Sequence, residues 1–108
     1  MTDENRLRED IASIGRSLHE RGLSPGSSGN ISARLDDGWL LTPTNACLGS
    51  LDPAEIAKLS WDGRHLSGQP ASKEAFLHRA MYEGSDDSGA IVHLHCTHSA
   101  AVSCLDCL

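Results

Sequence analysis

Apolar residues recur at Leu7, Ile11, Ile14 and Leu18, in steps of four, three and four, and Gly22 follows. That spacing stacks four side chains on one side of an α-helix running from Leu7 to Arg21, and a glycine at the exit supplies the stop. A helix with one greasy stripe must lie on something, so the chain has to build at least a second layer against it. At 108 residues it is long enough to bury a core of its own, since domains of about 100 residues are common.

The second layer reads as a sheet. Ile31 to Leu35 and Trp39 to Thr42 flank Asp36-Asp37-Gly38, a turn signal between two extended runs, and the Gly, Ser and Pro of LSPGSSGN before them spell a loop. After the loop TPTNACLGS, Asp52 and Pro53 make a good N-cap and first-turn pair for a short helix through Leu59, and Trp61 to Leu66 resembles a second tight turn. A second amphipathic helix is expected from Ser72 to about Glu83, burying Phe76, Leu77, Ala80 and Met81, until SDDSG breaks it. Ala90 to His95 reads as a strand with side chains alternating between two faces. AAVSCLDCL, from Ala100, is apolar and reads with Ser99 as the start of another helix. It ends without a cap or polar exit, so the sequence is expected to continue in the intact protein.

Charge narrows the partners. The nine Lys and Arg residues are scattered and the net charge is −6, which excludes a nucleic-acid surface, because displacing counterions from phosphates takes clustered basic side chains. An anionic small molecule stays open if a metal ion or a helix N-terminus supplies local positive charge. No apolar run spans a membrane, and MTDENRLRED is acidic where a secretory signal would be basic and then greasy. The expectation is a cytoplasmic protein without membrane contact. Its four cysteines are read as reduced thiols, with Cys104 and Cys107 as small hydrophobes of a buried helix rather than half of a zinc site.

The chemistry concentrates at His93-Leu94-His95, whose period of two puts both imidazoles on one side of a strand, where they can converge on a metal ion. On spacing alone, paired polar residues of a half-exposed strand are the better fit. Glu74 opens the second helix and carries His78 four residues on; its bland reading is a carboxylate that favours the helix dipole, and His78 reads as an interior histidine rather than a ligand. Ser72 and Lys73 suit either capping or anion binding at the helix start. The loops Ser27-Ser28-Gly29-Asn30 and Thr42-Pro43-Thr44-Asn45 offer hydroxyls, amides and free backbone that can wrap an oxyanion, or can simply be turns. His19 and His65 have no assigned role, and His98 falls outside the period of the pair.

Taken in order, SSGNIS, LLTPTN, PASKEAFLH and IVHLHCTHSAAV resemble the N-terminal half of the class II aldolase/adducin family, from about Leu7 to Val102. The resemblance implies a three-layer α/β/α fold with a central, mostly antiparallel sheet, and it makes residues 1–108 the N-terminal portion of a single domain whose C-terminal half this chain lacks. Position by position, Gly29 and Asn30, Thr44 and Asn45, and Ser72 and Lys73 match places that hold the substrate phosphate. Glu74 matches the catalytic acid/base that can also touch the metal, and His93 and His95 match two of three zinc-binding histidines. The third falls in the missing half. TPTNACLGSLDP with SKE looks most like the branch that decarboxylates 3-oxo-tetronate 4-phosphates, because the aldolases usually have Gly at the place of Asn45 and Ser at that of Lys73.

The resemblance therefore implies a zinc-dependent lyase on a small phosphorylated sugar acid, forming dihydroxyacetone phosphate and carbon dioxide through an enediolate. Glu74 would protonate that enediolate and would need a raised pKa to do so. A homotetramer with sites between subunits is implied as well. The other readings are a sugar-phosphate aldolase of the fuculose or rhamnulose type, a non-catalytic adducin-like module and an inactive truncated fragment.

Overall fold

The structure, a computed structural model, describes residues 3–95 and 104. Helix α1 spans Glu4–Glu20, three residues earlier than the apolar stripe requires, because the Asp3 side chain accepts from the amide of Asn5 (3.0 Å) and caps it. At its exit Gly22 sits at φ 75°, and the amide of Leu23 reaches back to the carbonyl of Leu18 (3.0 Å). Its buried face is Arg8, Ile11, Ala12 and Gly15, with Leu7 and Leu18 partly buried, while Ile14 is 49% exposed. The expected stripe is thus rotated toward Gly15. A Cβ on Gly15 would lie 2.6 Å from the backbone oxygen of Leu48, and only glycine lets the helix sit that close to the 3-10 turn Leu48–Ser50.

Five strands, β1 (Asn30–Arg34), β2 (Trp39–Leu41), β3 (Ala57–Leu59), β4 (His65–Ser67) and β5 (Ala90–His93), form an antiparallel sheet in the order β4-β3-β2-β1-β5. The pleat sends Ile31, Ala33 and Leu40 to the α1 side with Ile11, Leu48 and Ile56, and sends Trp39, Leu41, Leu59 and Ile91 to the other side with Tyr82. Helix α2 (Ala75–Gly84) covers that second face. The layers are therefore helix, sheet and helix, as the fold expectation required. Leu40 and Leu41 are both completely buried, each contributing roughly 2 kcal/mol of transfer free energy.

Three local expectations fail. Asp52 does cap a turn, accepting from the amide of Ala54 (2.9 Å), yet the 3-10 turn ends at Glu55. Ile56 is needed in the α1-side core, and Ala57 to Leu59 pair with β2, so the expected helix through Leu59 is a strand. In α2 the stripe of Phe76, Ala80 and Met81 faces outward, Phe76 being 74% exposed, while His78 and Tyr82 are buried; polar partners on β1 decide which side faces in. The strand expected through His95 is shorter as well: β5 pairs with β1 only from Ala90 to His93, where β1 itself begins, and His95 lies beyond it. The tail reading from Ser99 falls outside the described residues except for Cys104, which is exposed in a turn where burial in a helix was expected and, like Cys47, is a free thiol. No described helix is long and apolar enough to cross a membrane.

Arg8 ties the α1 layer to the sheet. The residue is 7% exposed, and its guanidinium donates to the carbonyls of Pro53 (2.9 Å) and Ile56 (2.6 Å), to Ser67 Oγ (3.2 Å) and to Glu4 (2.9 Å). Arg8→Met keeps the aliphatic stem but strands two carbonyls, so urea unfolding is expected to show a loss of about 2–4 kcal/mol. A loss under about 0.5 kcal/mol, the scale of an ordinary surface change, would show that these bonds carry little.

Candidate metal centre and phosphate cleft

Register builds the centre. Asn30 on β1 lies directly opposite His93 on β5, both on the face that α2 covers, and Glu74 stands at the N-terminal cap of α2 above them. Its side chain does not cap the helix; Ser72 Oγ takes the amide of Glu74 instead (3.2 Å). The Glu74 carboxylate is thereby free to turn to the sheet, where Oε2 meets His93 Nδ1 and Oε1 lies 3.9 Å from His95 Nε2. The two imidazoles stand 4.8 Å apart, centroid to centroid.

One ligand atom from each of Glu74, His93 and His95 falls within 4.8 Å of the others. Two imidazole nitrogens and a carboxylate oxygen are a donor set that zinc accepts. His93 Nδ1 adds to the fit: it is buried and its neighbour is the Glu74 carboxylate, so a nitrogen and an oxygen donor stand side by side. The three residues therefore fit a divalent metal ion.

Glu74 departs from expectation in its titration. Its pKa is lowered, first by the hydrogen bond from Asn30 Nδ2 (3.0 Å), against the desolvation that pulls the other way, and then by His93 and His95. The raised value that an acid at rest would need is absent. Glu74 is a carboxylate at neutral pH, as a metal ligand or a base should be.

Beside the trio opens a cleft of about 300 Å³, lined by Ser27 to Asn30, Pro43 to Asn45, Ser72 to Glu74, and His95. It brings together the three loops that the sequence singled out. Their backbones are tied to one another: the amide of Thr44 donates to the carbonyl of Pro70 (2.9 Å) and that of Ser72 to the carbonyl of Thr42 (3.1 Å). Gly29 has φ 85°, and a Cβ there would come within 3.2 Å of the carbonyl oxygen of His93, so the SSGN loop presses against β5 in a backbone conformation that strains any residue with a side chain. Ser28 lines the cleft with its donors already engaged, its hydroxyl (2.6 Å) and its amide (3.2 Å) both donating to the carbonyl of Pro25. Asn45 has φ 60°. Asn tolerates the left-handed region nearly as Gly does, so an exchange between Gly and Asn keeps this loop's path and says less about chemistry than about backbone shape.

Behind the carboxylate runs a set of polar side chains in which His78 is the interior histidine expected from the sequence, while Ser32 and Tyr82 were not foreseen. His78 contacts Asn30 Oδ1 through Nε2 and Ser32 Oγ through Nδ1 (2.6 Å), and Ser32 Oγ contacts the Tyr82 hydroxyl (2.7 Å). Burial pushes the pKa of His78 down to about 4 and that of Tyr82 up, so both are neutral. Asn30 and Ser32, two apart on a strand facing a helix, were the readable signal. His19 and His65 are structural, contacting the carbonyls of Ser24 (2.9 Å) and Gln69 (3.1 Å). His98 lies outside the described residues.

Comparison with known proteins agrees with this fold. Residues 9–108 match the family described as Class II Aldolase and Adducin N-terminal domain. The chain is 54% identical over 103 residues to a 3-oxo-tetronate 4-phosphate decarboxylase of Cupriavidus necator, covering 95% of this chain and 48% of the relative. It is 35% identical to an L-fuculose phosphate aldolase of Escherichia coli, over 96% of this chain and 48% of that one. The crystal structure of YgbL from Escherichia coli superposes with a TM-score of 0.92 at 44% identity, covering 97% of this chain and 51% of YgbL. The chain thus spans about half the length of the relatives it matches.

Proposed function

The chain belongs to the class II aldolase and adducin N-terminal domain family, and from that premise we propose that it is the N-terminal portion of a zinc-dependent lyase that decarboxylates 3-oxo-tetronate 4-phosphate to dihydroxyacetone phosphate and carbon dioxide. The observation that carries this reading is the convergence of Glu74, His93 and His95 beside a cleft built from three oxyanion-suited loops. The decarboxylase branch is favoured over the aldolase branch by 54% against 35% identity and by Lys73, a cation at the cleft. Asn45 weighs less, because its left-handed backbone suits Asn and Gly alike.

Glu74, His93 and His95 would hold the metal. A divalent cation bound there supplies Lewis-acid stabilisation of the negative charge that develops on a substrate oxygen as the neighbouring carbon–carbon bond breaks. Lys73, the hydroxyl of Ser72, the backbone of Gly29 and the Thr44–Asn45 segment receive the phosphate, with the N-terminus of α2 adding its dipole. When carbon dioxide leaves, the bonding pair stays with the substrate and one proton must reach the carbon it left. In this reading Glu74 delivers that proton, and as a carboxylate at rest it must first take one up from bound substrate or solvent. A homotetramer with sites between subunits belongs to the same reading.

The test is the whole gene product carrying this chain, supplied with zinc and with 3-oxo-tetronate 4-phosphate labelled in its carboxylate. Labelled carbon dioxide and dihydroxyacetone phosphate should appear together, and Glu74→Gln should slow their formation by at least about a hundredfold. Aldehyde released from a sugar phosphate, with no carbon dioxide from the keto acid, would move the protein to the aldolase branch.

A further inference from the structure

We propose that the buried file Tyr82–Ser32–His78–Asn30 is a positioning device that fixes the side-chain amide of Asn30 with its N–H toward Glu74, and so holds the carboxylate at the His93–His95 pair. An ionised carboxylate such as Glu74 only accepts, so the end of Asn30 that faces Oε2 at 3.0 Å is Nδ2, donating. Its Oδ1 is then turned to His78 Nε2 and needs a donor there. A neutral imidazole that donates from Nε2 must accept at Nδ1, which obliges Ser32 to give its proton to the ring (2.6 Å) and to accept from the Tyr82 hydroxyl (2.7 Å). Every proton in the file points the same way, and no member can reverse without its neighbours.

Burial makes the file stiff. His78 and Ser32 are completely buried, Tyr82 is 1% exposed and Asn30 4%, so no water stands by to rescue a reversed amide. The Trp39 ring lies near-parallel to the His78 ring, 6.4 Å away and tilted by 17°. Two residues two apart on β1 and two residues four apart on α2 supply the four groups, so the file also fixes where the cap of α2, and with it Glu74, sits over the sheet. If the amide of Asn30 reversed, its carbonyl oxygen would face a carboxylate oxygen and drive Glu74 away. Asn30 is thus a positioning residue for Glu74, besides lining the phosphate cleft, and His78 acts through it.

This rests on the reading of Glu74, His93 and His95 as a metal site, and the test separates the two. His78→Leu removes both ring contacts; His78→Gln keeps an N–H near the place of Nε2. In metal-free protein, hydrogen exchange of the Asn30 side-chain amide, followed by NMR, should be at least about tenfold faster in His78→Leu than in wild type and near wild type in His78→Gln. Zinc affinity should fall about tenfold in His78→Leu and stay within about threefold in His78→Gln. Unchanged exchange in His78→Leu would overturn the proposal, and so would lost amide protection with unchanged zinc affinity. Accelerated exchange with no zinc binding by any protein, wild type included, would sink the metal reading and leave the fixing of Asn30 standing. If His78→Leu does not fold, Ser32→Ala decides. The ring nitrogens of His78 should show a single Nε2–H tautomer in wild type and a mixture in Ser32→Ala, and an unchanged single tautomer would contradict the file.

Discussion

Replacing His93 with alanine is expected to weaken zinc binding by more than about a hundredfold, the upper end of what removing a mere outer-shell partner costs. His93 closes β5, is locked opposite Asn30 by strand register, and presents Nδ1 to the Glu74 carboxylate from a half-buried position. On the proposed reading, its loss removes a nitrogen that needs no reorganisation to bind the ion. His95 lies two residues on, past the end of the strand, and is exposed, so part of its contribution is offset by the cost of ordering it. His95→Ala should therefore cost less, about ten- to a hundredfold. Competition against a chromophoric chelator measures both. Equal affinity in wild type and both variants would show that the trio is not a metal site.

The second large effect is on stability in acid. The pKa of His78 is about 4 in the folded protein against an ordinary 6.5, because burial opposes its charged form. Between these values the unfolded chain takes up a proton that the folded chain refuses, so stability is intact above about pH 6.5, falls as the pH drops toward 4, and loses no more from this group below that. A shift of this size corresponds to up to about 3 kcal/mol. Carboxylates with lowered values, Glu4 beside Lys58 and Glu74 beside Asn30, add acid losses of their own, but those are shared by His78→Gln, which keeps Asn30 in place. The expected result is that urea unfolding between pH 7 and 4 shows a shallower decline in His78→Gln than in wild type. Parallel curves would mean that the His78 site does not resist protonation.

Elements governed by local forces were legible in the sequence, and those governed by distant pairing were not. Helix α1 and the hairpin of β1 and β2 were readable because caps, the Gly22 stop and the Asp36–Gly38 turn act over a few residues. The 52–59 segment was not, since Asp52 and Pro53 signal a helix start while the pairing of Ala57 with Leu41 and of Leu59 with Trp39 decides the outcome from afar. In α2 an apolar count chose Phe76, Ala80 and Met81 for the inside; the face that turned in carries His78 and Tyr82, whose partner Ser32 is 46 residues away from His78. Period-two spacing found His93 and His95, and the order of the loops gathered Gly29, Thr44, Asn45, Ser72 and Lys73 into one cleft. Neither could show that the amide of Asn30 is turned to Glu74, nor that this keeps the carboxylate ionised.

The most direct measurement of the metal centre is X-ray absorption at the zinc edge of the zinc-loaded protein. A site built on Glu74, His93 and His95 predicts a first shell of nitrogen and oxygen only, at about 2.0–2.2 Å, with imidazole scattering that falls in His93→Ala. A sulfur shell at about 2.3 Å, or imidazole scattering untouched by loss of His93, would place the zinc on cysteine or on other histidines and contradict it.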